Sequence, residues 1–213
     1  MANVATTVEK VLQEVRNLQR SEISEVAEAF DTKKQVGSST MAHKRNPITA
    51  ENASGLARIV RSMIVPSYEN ALLWHERDLA NSSAERFTLS HSMVLLDDIM
   101  MKTNRVMSNL SVDADRMREN IESQNGMVMA EKVMLALVEK GVTREEAHEI
   151  LRAASMQAIS DGQGLHEACS QNEIVSSLFD DSELADLFVP ESHIGHSGRI
   201  VDEAVARAHS VIG

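Results

Sequence analysis

The chain is short of the residues that stiffen, kink or cross-link a fold. Its 213 residues include three prolines, nine glycines, one cysteine and only 3% aromatics. A lone Cys169 excludes an internal disulfide, and its neighbours offer nothing that would activate a thiolate. No apolar run approaches the roughly 18 to 20 residues of a membrane span. No signal-peptide pattern opens the chain, so cytoplasm is the default expectation. Positive charge is in deficit: 21 Lys and Arg face 32 Asp and Glu, and the net charge of −11 argues against a general nucleic-acid surface. An anionic substrate would need a local basic pocket. No glycine-rich phosphate loop or dinucleotide fingerprint appears, so no cofactor is expected.

What is present is helical periodicity, and the length suffices for one or two domains. From about Thr6 to Phe30, Val8, Val11, Leu12, Val15, Leu18, Ile23, Val26 and Phe30 fall on one stripe of a long amphipathic helix. A second helical pattern runs from Ile48 to roughly Val65, where Pro66 kinks or ends it. Ser82 with Glu85 three residues on has the form of a capping box opening a helix to about Leu110, with Phe87, Leu89, Met93, Leu95, Leu96, Ile99 and Met100 on its apolar side. Beyond residue 112 the helices shorten: roughly 113 to 124, 127 to 140 ending at Gly141, and 143 to 160 behind the capping box Thr143-Arg144-Glu145-Glu146. Pieces near 164 to 169, 172 to 179, 182 to 188 and 199 to 211 follow. The pattern predicts an all-α protein with a domain of long helices at 1-111 and a domain of short helices at 112-213.

Between the first two helical patterns lies Gly37-Ser38-Ser39-Thr40-Met41-Ala42-His43-Lys44-Arg45-Asn46-Pro47. Gly37 permits unusual backbone angles, and Asn46-Pro47 has the form of an N-cap followed by proline at the first helical position. Composition alone would make this a solvated surface loop. Glu51, in the first turn beyond, would be an acid complementing the helix dipole. A second polar stretch is Trp74-His75-Glu76-Arg77-Asp78-Leu79-Ala80-Asn81-Ser82-Ser83-Ala84-Glu85-Arg86, where two guanidiniums flank a helix start, a plausible seat for phosphate or carboxylate. The eight histidines show no zinc-ligand spacing with a third ligand in reach, so metal binding is not expected. The twelve methionines are most simply adaptable core filling.

The loop string resembles the GSSxMPxKxNP signature of the fumarase/aspartase superfamily, departing from it only at Ala42, where the family usually has proline. The second stretch, WxERDxxxSSxER, is similar to the one that follows this loop in adenylosuccinate lyases. Carboxymuconate cycloisomerases share a similar loop but not usually that run. The segments from Asn125-Gly126 through Leu137, from Gly141 to His148, and from Leu187-Phe188 through Ser197-Gly198 resemble the small C-terminal helical domain of the same lyases.

The resemblance implies long helices of a central bundle followed by that C-terminal domain. It also implies β-elimination of fumarate from adenylosuccinate, giving AMP, and from the succinyl-carboxamide ribotide of purine biosynthesis. In this reading Ser38 is the base, Lys44 and Asn46 meet the developing aci-carboxylate charge, and Glu51 orients a catalytic histidine. Ser39 and Asn52 hold substrate, while Arg77, Ser82 and Arg86 receive its anionic groups. The family's general-acid histidine belongs to an N-terminal half not represented before Ser38. The implied arrangement is thus a C-terminal fragment of a homotetramer with shared active sites, self-associating but inactive alone. Another lyase or cycloisomerase of the superfamily, or a non-catalytic helical scaffold, are the alternatives.

Overall fold

The computed structural model of the chain describes residues 1–29, 46–75 and 77–212. The protein is all-α, with one two-residue antiparallel ladder among the described residues. It divides into two compact units, Met1–Met117 and Arg118–Gly213.

In the first unit, α1 (Ala2–Leu18) buries Ala5, Leu12 and Val15, the last two on the stripe that the sequence predicts. It stops at Leu18 rather than continuing toward Phe30. The chain turns through Ser24, which adopts a positive φ of 57°, and Val26–Ala27 (β1) pairs with Ser111–Val112 (β2). Val26, one of the apolar residues assigned to the helical stripe, is buried on this strand instead. The pairing partner lies far along the chain, and such tertiary contacts override local helical period.

The helix α2 (Ile48–Ser62) buries Ala50, Ala53, Ser54, Ala57 and Val60. This face of mostly small side chains packs against α1 and against α4 (Ala80–Ser108). Glu9 of α1 pairs with Arg58 at 3.7 Å and with Arg61, fastening α1 to α2. The break expected at Pro66 falls earlier, at Met63, and Pro66 lies in the first turn of α3 (Ile64–Glu69). There its missing N–H would have had no helical partner in any case.

The 29-residue α4 buries Asn81, Thr88, Ser92, Ile99 and Val106. That stripe coincides only in part with the apolar side expected from sequence: Ile99 lies on it, and Leu95 and Leu96 pack half-buried against the same core. Phe87 is 66% exposed and Met93 60%, and Leu89 and Met100 are also exposed, whereas Ile99 is fully buried. Narrow contact with α2 and α1 takes the small polar side chains of Thr88 and Ser92 inward and leaves Phe87, Leu89, Met93 and Met100 outside.

In the second unit, α5 (Ala114–Glu122) leads into it, and a 3₁₀ turn at Met127–Met129 precedes α6 (Ala130–Glu139). Then come α7 (Arg144–Asp161), α8 (Leu165–Ser170), α9 (Glu173–Leu178) and α10 (Asp181–Leu187). Their core contains Val133, Leu137, Leu151, Leu165, Val175 and Leu184. Thr143 and Glu146 form the predicted capping box of α7, and Gly162 closes that helix at φ 68°. Asn172 caps α9, and Asp180 with Glu183 makes a second box on α10. Gly126 has φ 79°, and a Cβ there would stand 3.1 Å from the Phe188 ring, so both backbone angle and space favour glycine. A 3₁₀ turn at Pro190–His193 precedes α11 (Ser197–Ile212), which buries no residue.

Candidate active site

Ser38, Ser39 and Lys44 lie outside the described residues, as does the rest of the signature up to Arg45. The description resumes at Asn46. Its carbonyl accepts the Ile48 N–H at 2.9 Å, and Pro47, not Asn46, is the N-cap of α2. The expected side-chain cap from Asn46 is therefore corrected: the helix N-terminus is met from elsewhere. Glu28, only 7% exposed, accepts the Thr49 N–H at 2.9 Å on one carboxylate oxygen and the Ala50 N–H at 3.1 Å on the other. A carboxylate against free N–H groups at the positive end of a helix is favourable both as hydrogen bonding and as charge.

One turn further, Glu51 and Asn52 are both exposed at the start of α2. Asn52 Oδ1 accepts a hydrogen bond from Lys102 Nζ at 2.6 Å, and the same ammonium donates to Asp98 at 2.5 Å. Lys102 thus engages one face of the carboxamide and presents the Nδ2 donor to other partners. Sequence reasoning overlooked Lys102. Its only local signal was the Asp98–Lys102 spacing of four, which any solvated helical surface can show.

The second group gathers at the other end of α4. Ser82 is half-buried in the first turn, Arg86 is exposed one turn on, and Arg77 is exposed in the preceding segment. The predicted capping box does not form. Ser82 is inside the helix, its N–H bonded to the Leu79 carbonyl at 3.1 Å, and Glu85 accepts instead from Asn81 Nδ2 at 3.0 Å. The helix begins three residues earlier because Asp78 accepts the Ala80 N–H at 2.8 Å and the Trp74 N–H at 2.9 Å. Those bonds, Ala80 before Trp74, hold the Asp78 carboxyl below its ordinary range. Asp78 clasps the turn containing His75, which takes a positive φ of 49°. Trp74 and Leu79 on either side of Arg77 are both more than three-quarters exposed.

Among the described residues the two groups do not meet. Asn52 touches α4 at Lys102, and sixteen residues of helix separate Lys102 from Arg86, about 24 Å at ~1.5 Å per residue. Among the described residues, no cluster of three or more His, Cys, Asp or Glu could hold a metal ion, and no helix is long and apolar enough to cross a membrane.

The chain is similar to known proteins in both sequence and fold. Residues 1–62 match a family model described as Lyase, and residues 126–204 match one described as Adenylosuccinate lyase C-terminus. The fold is similar to 3-carboxy-cis,cis-muconate lactonizing enzyme from Pseudomonas putida, with a TM-score of 0.88 and 29% identity over 100% of this chain and 47% of that one. It is also similar to a fumarate lyase from Mesorhizobium sp. BNC1, with a TM-score of 0.84 and 26% identity over 96% of this chain and 44% of that one. The chain therefore belongs to the all-helical lyases of the fumarase/aspartase superfamily.

Within that class its sequence resemblance is to adenylosuccinate lyases. It is 44% identical to the adenylosuccinate lyase of Archaeoglobus fulgidus over 100% of this chain and 48% of that protein. It is 42% identical to that of Methanothermobacter thermautotrophicus over 96% of this chain and 46% of that protein. The chain spans about half the length of these relatives.

Proposed function

We propose that the chain carries the signature-loop half of a lyase that eliminates fumarate from adenylosuccinate, releasing AMP, and from the succinyl-carboxamide ribotide. The observation that carries this reading is identity above 40% with adenylosuccinate lyases along the chain's whole length. The polar residues carried over from the two motifs add to it.

The chemical task is removal of a weakly acidic proton beside a carboxylate, with departure of a nitrogen. Ser38 takes the proton, and Lys44 and Asn46 donate to the carboxylate oxygens as negative charge gathers there. Glu51 orients a histidine on a partner segment, and Ser39 and Asn52 hold the succinyl end. With Lys102 on its Oδ1, the Asn52 amide offers N–H rather than oxygen to an anionic ligand. Arg77, Ser82 and Arg86 receive the nucleotide's anionic groups at the α4 N-terminus, where the helix dipole adds to the guanidinium charge.

The separation of about 24 Å along α4 between the Asn52 group and the Arg86 group supports a site assembled from more than one copy. The exposed Phe87, Met93, Val94 and Met101 give α4 an apolar surface suited to such self-association. A homotetramer with shared sites follows from this reading.

A second reading, a cycloisomerase, draws on the TM-score of 0.88 with the muconate lactonizing enzyme, but the sequence identity there is 29% against 44% for the lyase. The deciding experiment mixes this chain with the N-terminal half of an adenylosuccinate lyase and follows adenylosuccinate and 3-carboxymuconate by absorbance. Cleavage of adenylosuccinate that disappears in Ser38→Ala supports the lyase. Turnover of the muconate alone transfers the assignment to the second reading.

A further inference from the structure

The start of α2 presents a problem that the sequence beside it does not solve. A helix begins with N–H groups that have no partner, and Pro47 has no side-chain acceptor to offer them. Glu28, 21 residues before Thr49, supplies both carboxylate oxygens. Its own backbone is firmly held. The Glu28 N–H donates to Gln19 Oε1 at 2.9 Å, β1 is paired to β2, and the Asp113 N–H donates to the Glu25 carbonyl at 2.9 Å. Arg116 Nε also donates to the Ile23 carbonyl at 3.1 Å. The carboxylate is thus delivered from a platform built by α1, β1, β2 and the start of α5.

We propose that Glu28 is a positioning residue of the lyase site: its buried carboxylate pins the first turn of α2 to this platform and so fixes where Asn46 and Glu51 stand. The link to catalysis rests on the lyase reading, whereas the pinning itself does not. An ordinary cap from a neighbouring residue would stabilise the helix without tying it to anything. A cap from so far upstream instead joins the two chain segments that lead into and out of the signature motif. Among the described residues, the side chain touches no reacting group and acts through the residues it places.

The test uses Glu28→Gln and Glu28→Ala in the 213-residue chain and reads amide hydrogen exchange residue by residue. In Glu28→Ala the Thr49 and Ala50 amides should exchange about tenfold faster, the scale of a lost cap. In Glu28→Gln one acceptor oxygen survives, so only one of the two should accelerate, and the amide resonances of Asn46 and Glu51 should shift in both variants. Amides at Val60 and Leu137 should be unmoved. Unchanged exchange at Thr49 and Ala50 overturns the pinning. A uniform acceleration across α1, α2 and α4 overturns it too, because that is what a merely structural residue would give.

In the chain complemented with a relative's N-terminal half, kcat should fall about tenfold or more in both variants, with KM little changed. A stability-matched Val15→Ala should retain kcat. Normal kcat in a variant whose Thr49 and Ala50 amides have opened overturns the positioning role. If the unsubstituted mixture is inactive, the lyase reading fails, while exchange and the Asn46 and Glu51 shifts still decide whether Glu28 fixes them.

Discussion

The two units differ in how their helices begin. In the second, the side-chain caps come from within three residues, Thr143 for α7, Asn172 for α9 and Asp180 for α10, while the Asn125 carbonyl takes the first N–H of α8 at 2.9 Å. In the first, α2 is capped from 21 residues upstream by Glu28, and Asp78 clasps both the turn ahead of α4 and its first N–H. Their interiors differ in the same way. The second unit fills its core with Leu137, Leu151, Leu165 and Leu184. The first brings α1 and α2 together over Ala5, Ala50, Ala53 and Ala57, and keeps much of its large apolar surface outside. The second unit draws its side-chain caps from adjacent residues, whereas the first ties α2 to a residue far upstream. α11 is the departure within the second unit, exposed along its whole length.

The largest expected effects separate these interiors. Leu165→Ala, at a fully buried site, should cost about 2–5 kcal/mol in chemical denaturation, because the tight cluster cannot collapse into the void. Cys169, one turn along α8, reports the same event. Burial pushes its thiol up to about 11, so a thiol reagent at neutral pH should label it slowly, and faster in the Leu165→Ala variant. Rapid labelling of the unsubstituted chain would contradict a closed core. The first unit should fail by the opposite change: Ala53→Leu should cost about 1–3 kcal/mol by forcing α2 away from its neighbours. Free tolerance of that substitution would mean that the helices do not need small residues where they touch.

The same contrast explains what could be read from the sequence. The all-α class was legible because helical period persists through nearly every segment, and the Thr143 box was legible because donor and acceptor are three residues apart. The helix from Thr6 to Phe30 was overextended because its competitor, Ser111–Val112, is absent from any local window. The supposed box of Ser82 and Glu85 satisfied the spacing rule, yet Asp78 had already begun the helix. Glu28 carried no signal, since a single acid in a periodic segment looks like solvated surface. Lys102 was hidden for the same reason. Of the carried-over site residues, Asn46, Glu51 and Asn52 lie together at the start of α2, and Ser82 and Arg86 lie at the start of α4. Their separation follows from helix length, which a motif does not encode.

Single caps should give smaller effects. Asn172→Ala removes the acceptor for the Ile174 and Val175 N–H groups and should cost about 1 kcal/mol, visible as a lower denaturation midpoint. Its influence should stay within the neighbourhood of α9, unlike the loss of Glu28, which should reach the signature motif's exit. An Asn172→Ala variant that disturbs amides in α6 as strongly as those in α9 would erase the distinction between local and distant capping.

The smallest effect is a matter of pH and salt. Glu183 accepts a hydrogen bond from Lys140 at 2.9 Å, and from the Asp180 N–H at 3.2 Å; these, in that order, hold its carboxyl below the ordinary range, while the Asp180 charge opposes them. A depressed carboxyl contributes stability above its unfolded pKa and loses it as pH falls through the folded value. Lys140→Met should therefore raise the Glu183 titration toward the ordinary range without restoring it fully, because the Asp180 N–H still donates. Added salt should act in the same direction by screening the ammonium. Asp78 is the contrasting case: backbone N–H groups, not a cation, hold it down, so its titration should barely respond to salt. Carboxyl-carbon titrations at low and high salt measure both at once. Equal salt sensitivity at Glu183 and Asp78 would show that the α4 clasp also draws on a cation, with Arg77 the nearest in sequence to examine.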